Sequence, residues 1–151
     1  MKNVTLLLNL IFMFLTVSKS IAQNKNHDLY LQYVEAANNR DFDAIKNMIN
    51  DEVLLNGKKS KKEDAIVGFK WVLDNVPNHL WNIEDLFVQD DRIAARLRNT
   101  GTPKKVSFYG QNKKGKSVEF TEFASYKMQN GKFVEMWYLI DVASVIEQLK
   151  N

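Results

Sequence analysis

The 151-residue chain has no cysteine, two prolines and only two histidines. Without cysteine there is no disulfide framework, no thiol nucleophile and no thiolate-bound metal. His27 and His79 are too few for a histidine metal cage. Apolar residues make up 45% and charged residues 26%, the balance of a single globular domain of about 100–150 residues.

One long apolar run is present, at the front. Met1-Lys2-Asn3 precedes Val4 to Val17, which is followed by Ser18-Lys19-Ser20-Ile21-Ala22. A charged start, an apolar stretch and Ser20 and Ala22 at the −3 and −1 positions describe a cleaved secretion signal. A membrane-spanning helix needs about 20 apolar residues, and this run is shorter and carries Asn9. No cysteine follows it, so a lipid anchor is excluded. The reading divides the chain into a signal peptide, 1–22, and one domain, 23–151. It places the mature protein in the periplasm or outside the cell, free of the membrane.

The segment also decides the charge. The chain has 21 basic and 18 acidic residues; losing Lys2 and Lys19 leaves 19 against 18, a net of +1. Lys58, Lys59, Lys61 and Lys62 cluster, as do Lys113, Lys114 and Lys116, but no aromatics interleave them. A nucleic-acid partner is therefore not expected.

Helices come first along the domain. From Asp28 to Asn38, Leu29, Tyr33 and Ala36/Ala37 fall on one helical stripe. Asp41 is placed to N-cap a second helix with Phe42, Ile45 and Met48/Ile49 buried. Val53-Leu54-Leu55 reads as a strand ending in an Asn56-Gly57 turn. Ser60-Lys61-Lys62-Glu63 reads as a capping box for a third helix that runs to Asn75 and stops before Pro77. Its apolar face holds Ala65, Ile66, Phe69, Leu73 and Val76.

From Leu80 the period becomes two. Strands are expected over Leu80–Val88, Arg92–Thr100, around Val106 and Phe108, over Val118–Met128 and over Lys132–Ile140. Asn130-Gly131 joins the last pair, and a closing helix follows Asp141. Alternation puts Val118, Phe120, Glu122, Ala124, Tyr126 and Met128 on one interior face, with Val134, Met136, Tyr138 and Ile140 on that of the next strand. Helices followed by antiparallel strands predict an α+β domain with helices packed on a curved sheet.

Glu122 stands out as an acid in an apolar set. Burial there raises a carboxyl's pKa and suits it to proton transfer, unless an arginine pairs with it or the strand turns it outward. The tyrosine hydroxyls of Tyr126 and Tyr138 can donate to a ligand carbonyl or serve as wet tips of core aromatics. His79 reads as an exposed loop histidine, and Trp71, Trp81 and Trp137 read as core or interface aromatics. Gly110 to Ser117 matches G-x-x-x-x-G-K-[ST], but that loop needs a helix after it and a strand pattern follows. The pocket lining is assigned to Phe69, Trp71, Phe120, Tyr126, Met136 and Tyr138, with Glu122 as the candidate catalytic group.

These residues also carry a likeness. Asn39 to Ile45, Glu84 to Val88 leading into Asp91 to Arg96, Thr100-Gly101-Thr102, Val118 to Thr121, and Asn130 to Trp137 followed by Asp141 and Gln148-Leu149 resemble the SnoaL-like polyketide cyclase (ester cyclase) branch of the NTF2-like superfamily. The resemblance implies a cone-shaped α+β barrel with an apolar pocket between helices and sheet, often a homodimer through the sheet. It implies cofactor-independent chemistry among cyclases, isomerases, dehydratases and epoxide hydrolases. The chain departs from that pattern: Tyr138 occupies the place of the cyclase's acid/base aspartate, Ala124 that of a common polar pocket residue, and Pro103 that of a frequent histidine.

Three functions follow as expectations. One is an exported protein that binds a small apolar or carbonyl-containing molecule. Another is an isomerase, lyase or cyclase-type enzyme using Glu122 as acid/base. The third is an interaction module whose outer-face Phe123, Trp137 and Leu139 make a homodimer patch. Export has a direct check. Protein recovered from its own host should begin at Gln23, and an intact mass that includes residues 1–22 would refute the signal.

Overall fold

The computed structural model describes residues 25–104 and 115–150. The expected secretion signal, the strand expected around Val106 and most of the basic loop lie outside them. Helix α1 covers 25–39, beginning earlier than the Asp28 start. It buries Tyr30, Tyr33, Val34 and Ala37, the i, i+3, i+4, i+7 stripe that faces a core. Arg40 ends it with a φ of 63°. The Arg40 guanidinium then donates to the Pro77 carbonyl at 3.0 Å and the His79 carbonyl at 2.8 Å, tying the first loop to the third.

Asp41 caps α2 (Phe42–Met48), its Oδ1 accepting from the Ala44 N–H at 2.9 Å. Strand β1 (Ile49–Leu55) turns at Asn56-Gly57 into β2 (Lys58–Lys61). Both turn residues have positive φ, 47° and 79°, which suits an Asn-Gly pair. Helix α3 (Lys62–Asn75) starts later than the capping box at Ser60 required. Ser60 is held in the β1–β2 ladder opposite Val53, and the box shifts by one residue, with the Lys61 N–H donating to Asp64 Oδ2 at 2.9 Å. Gly68 sits in mid-α3, where glycine costs about 1 kcal/mol relative to alanine. A Cβ there would meet nothing within 4 Å.

The remaining strands are β3 (Leu80–Gln89), β4 (Arg92–Gly101), β5 (Val118–Gln129) and β6 (Lys132–Ile140), and α4 (Val142–Lys150) closes the fold. The six-stranded sheet runs β2-β1-β6-β5-β4-β3, antiparallel except for the parallel β1–β6 pair. This is the α+β architecture the patterning implied. Asp141 caps α4 through the Ser144 N–H at 3.0 Å. Among the described residues no helix is long and apolar enough to cross a membrane. The Gly110–Ser117 pattern leads straight into β5, a strand, so it lacks the helix N-terminus that would hold a phosphate.

β4 and β5 pair without a break from Arg92↔Lys127 to Gly101↔Val118. Ile93, Ala95, Leu97, Asn99 and Gly101 of β4 therefore point inward beside Val118, Phe120, Glu122, Ala124, Tyr126 and Met128 of β5. On the outer face Arg96 pairs with Glu84 and Asp85, and Arg98 with Glu84. The β5–β6 pair carries a bulge: Lys127 faces Glu135 but Met128 faces Phe133, leaving Val134 as the extra residue. The expected face is thereby corrected, since Phe133 is fully buried and Val134 only partly so.

His79 is a second correction. It is 2% exposed, its ring 4.2 Å from that of Trp81 and 5.9 Å from that of Phe120. The loop that carries it is pressed onto the end of β4, and a Cβ on Gly101 would come within 2.4 Å of Val76 Cγ1 and 3.2 Å of His79 Cα. Of the tryptophans only Trp81 joins the core; Trp71 and Trp137 stand about half exposed.

Candidate functional site

A cavity of about 560 Å³ lies between helices α1 and α3 and the inward face of the sheet. That volume is within the usual range for sites of small organic ligands. Its deep walls are buried: Tyr30, Tyr33, Val34 and Ala37 from α1, Ala65 from α3, and Trp81, Leu97, Glu122 and Tyr126 from the strands. Its mouth is marked by the exposed lining residues Asn56, Asp64, Gly68, Trp71 and Leu139. The described lining residues include no lysine, arginine or histidine.

Glu122 is 6% exposed and lines this cavity. Neither an arginine nor solvent satisfies it. Among the described residues its hydrogen-bond partner is Asn99, whose Nδ2 donates to Oε2 at 2.5 Å. Burial holds the carboxyl above its ordinary range, opposed by the Asn99 hydrogen bond. Asn99 is itself fully buried, and its Oδ1 has no partner among the described residues.

Four tyrosines surround the same space. Tyr30 and Tyr33 reach in from α1, Tyr126 from β5 and Tyr138 from β6. The Tyr30 and Tyr126 rings are 5.1 Å apart, and those of Tyr126 and Tyr138 6.0 Å. Burial first, then neighbouring phenols and the Glu122 charge, hold the Tyr33 and Tyr126 hydroxyls well above their ordinary range. Tyr30 and Tyr138 are raised as well, again mainly by burial. All four therefore stay protonated as hydrogen-bond donors at neutral pH. The buried hydroxyls of Tyr30 and Tyr33 lie near the phenols of Tyr126 and Tyr138 but, among the described residues, reach good hydrogen-bonding geometry with none, and a ligand oxygen would supply a partner.

Of the residues assigned to the pocket from sequence, Phe69, Trp71, Tyr126 and Tyr138 line the cavity together with Glu122. Met136 and Phe120 are off its wall. Met136 is fully buried in the main core, and Phe120 packs in a second cluster with Val76, Val118, Val145 and Leu149. Tyr30, Tyr33 and Asn99 went unnoticed as site residues. The inward alternation of β4 points to Asn99, and the Tyr30-Tyr33-Val34-Ala37 spacing points to the two tyrosines. His79 lies just below the cavity without lining it; burial, then Arg40, pushes its pKa down to about 4. Among the described residues no group of three or more His, Asp or Glu side chains is arranged to hold a metal.

The opposite face of the sheet carries a groove of about 700 Å³ with Phe87, Phe123, Trp137 and Leu139 exposed along it.

The family model for SnoaL-like polyketide cyclases matches residues 27–149. The chain belongs to the SnoaL-like polyketide cyclase family. A SnoaL-like polyketide cyclase from Agrobacterium tumefaciens superposes with a TM-score of 0.76 at 27% identity, covering 82% of this chain and 97% of the other. IdmH from Streptomyces antibioticus, a proposed polyketide cyclase, gives 0.76 at 20% identity, covering 83% and 99%. AclR from Streptomyces galilaeus, a proposed hydroxylase, gives 0.74 at 22%, covering 85% and 97%. The last two establish the shared fold alone. Among curated protein sequences none matches this chain.

The raised pKa of Glu122 has a consequence for this SnoaL-like fold. The folded protein holds the Glu122 proton more tightly than the unfolded chain does, so this group's contribution to stability falls as pH rises through its folded pKa. Glu122→Gln keeps the shape and an acceptor for Asn99 while removing the charge. Its melting temperature should exceed that of the wild type at pH 8 and converge with it near pH 4. Circular dichroism melts at the two pH values check this, and a variant less stable at pH 8 would contradict it.

Proposed function

We propose that the protein binds a neutral, carbonyl-bearing small molecule in the cavity between α1, α3 and the sheet, and that Glu122 moves a proton on it. The observation that carries this reading is a buried carboxyl on the cavity wall, raised in pKa and without a cationic partner among the described residues. A carboxyl held that way costs stability and is poised for acid/base work. The lack of a cation among the described lining residues favours a neutral ligand over an anionic one.

The chemistry follows from the donors present. The Glu122 carboxylate takes a proton from the carbon beside the ligand carbonyl, so that a C–H bond breaks and an O–H bond forms on Glu122. A tyrosine phenol of the cavity donates a hydrogen bond to the carbonyl oxygen as it gains enolate charge. Glu122 then returns the proton to another carbon, completing an isomerisation. In the alternative course the enolate carbon attacks a second carbonyl of the same molecule, closes a ring, and the new alkoxide takes the proton. Similarity to polyketide cyclases supports ring closure, and the same fold is shared by a proposed hydroxylase.

A second reading, a carrier that binds without turnover, has its own support. Tyr138 occupies the place where the cyclase pattern has its aspartate. Hydrogen–deuterium exchange separates the two. Neutral cyclic ketones of one to three rings, such as 1-tetralone, are incubated with the protein in heavy water, and loss of the α-proton signal is followed by NMR. The wild type should accelerate exchange, and Glu122→Gln should lose about 10²-fold or more. Equal exchange by both proteins would remove Glu122 from the chemistry, and binding without exchange would establish the carrier.

Export remains part of the proposal and rests on residues 1–22. Self-association rests on the outer apolar face, where Phe87, Phe123 and Leu139 are well exposed. Light scattering should give twice the mature mass at micromolar concentration, and Leu139→Glu should reduce it to the monomer. A monomeric wild type would end that proposal.

A further inference from the structure

We propose that Gly68 is the entrance residue of the cavity, a specificity-determining position that keeps the mouth open for a ring-bearing ligand. This rests on the cavity being the ligand site. Glycine in mid-helix is unfavourable, and three ordinary reasons for one are absent here. Gly68 does not terminate α3, which continues to Asn75. Its backbone is not in the left-handed region, and among the described residues nothing beyond α3's own backbone and the two adjacent residues lies within 4 Å of where a Cβ would stand. Helix packing therefore does not demand it.

What lies before that missing side chain is the mouth. Gly68 shares the rim with Trp71, one turn along the same helix face and 48% exposed, and with Leu139 from the edge of β6, 71% exposed. β1 pairs with β6 only as far as Met136, so Trp137 to Ile140 have no strand of β1 beside them and the opening faces α3. Behind the rim are buried polar groups on the cavity wall: the Tyr30 and Tyr33 hydroxyls, close to the phenols of Tyr126 and Tyr138, and the Glu122 carboxyl held by Asn99. A bare peptide at position 68 lets a flat ring pass between α3 and β6 with Trp71 against it, as glycine does where a ligand approaches the backbone closely.

The test uses N-phenyl-1-naphthylamine, a neutral fluorescent probe with a naphthyl and a phenyl group, with the mature chain. Gly68→Ala and Gly68→Leu should both fold, with melting temperatures higher by about 3 °C. Gly68→Leu should slow probe association in stopped flow by about tenfold, and Gly68→Ala should fall between it and the wild type. Val67→Leu, on the adjacent exposed position outside the cavity lining, should leave association unchanged. Unaltered association by Gly68→Leu would overturn the entrance role while leaving the pocket intact. Lower melting temperatures in both variants would overturn it too, by showing that helix packing needs the glycine. A wild type that does not bind the probe would remove the apolar pocket and the entrance together.

Discussion

The unbroken pairing of β4 with β5 is the constraint on which the rest of this molecule depends. Side chains alternate along a strand, so one register decides every inward residue of both strands at once. In the register observed, Asn99 and Glu122 come within hydrogen-bonding distance inside, while Arg96 and Arg98 meet Glu84 and Asp85 outside. A slip of β4 by one residue would drive two guanidinium groups into the core and turn Leu97 and Asn99 to solvent. The ion pairs on the outer face add little energy where exposed, but they oppose that slip. The catalytic candidate and the surface charges are two sides of one alignment.

That alignment is held against the helices by aromatic contact. Tyr33 of α1 packs its ring 4.8 Å from Phe133 and 5.9 Å from Phe69, and Tyr30 lies 5.1 Å from Tyr126. Such pairs contribute about 0.5–1.5 kcal/mol each beyond the area they bury. Their hydroxyl ends work in the opposite direction, because buried polar atoms left unpaired cost free energy. Glu122, the Asn99 amide oxygen and both ring nitrogens of His79 add to this cost. The apolar rings hold the layers together, and the polar tips concentrate unsatisfied chemistry on and beneath one cavity.

Much of this was legible in the sequence, and the failures have identifiable causes. Period-two alternation located β3 to β6 and singled out Glu122, because an acid in an otherwise apolar row breaks the pattern. The Asn130-Gly131 turn was equally plain from its dipeptide. The inward placement of Phe133 was not, because the Val134 bulge adds a residue without any marker in composition. His79 looked like an exposed loop residue because nothing local announces that Arg40, some forty positions earlier, ties its loop down. Asn99 carries no such signal, because a single asparagine near a strand end is as compatible with a terminus as with the partner of a buried acid. Met136 and Phe120 were correctly placed inside; which interior residues line a cavity and which pack solidly depends on helices that alternation within a strand does not describe.

The departure from the cyclase pattern that we propose at Tyr138 is better understood in this light. In the β5–β6 register Tyr138 stands opposite Ala124 and Glu122 opposite Ile140. The two positions are neighbouring inward rows, about 7 Å apart along the strands. A carboxyl on β5 and one at the Tyr138 place on β6 would thus address the same volume from adjacent rows. Phenol and carboxyl are not interchangeable, since at neutral pH a buried tyrosine donates a proton in a hydrogen bond while a carboxylate accepts one. With Tyr138 on β6, the group able to accept a proton is the one on β5, and the phenols around it supply the donors. The fold provides one inward face shared by several strands, so the acid/base group is defined by the chemistry of that face and not by a fixed place in the chain.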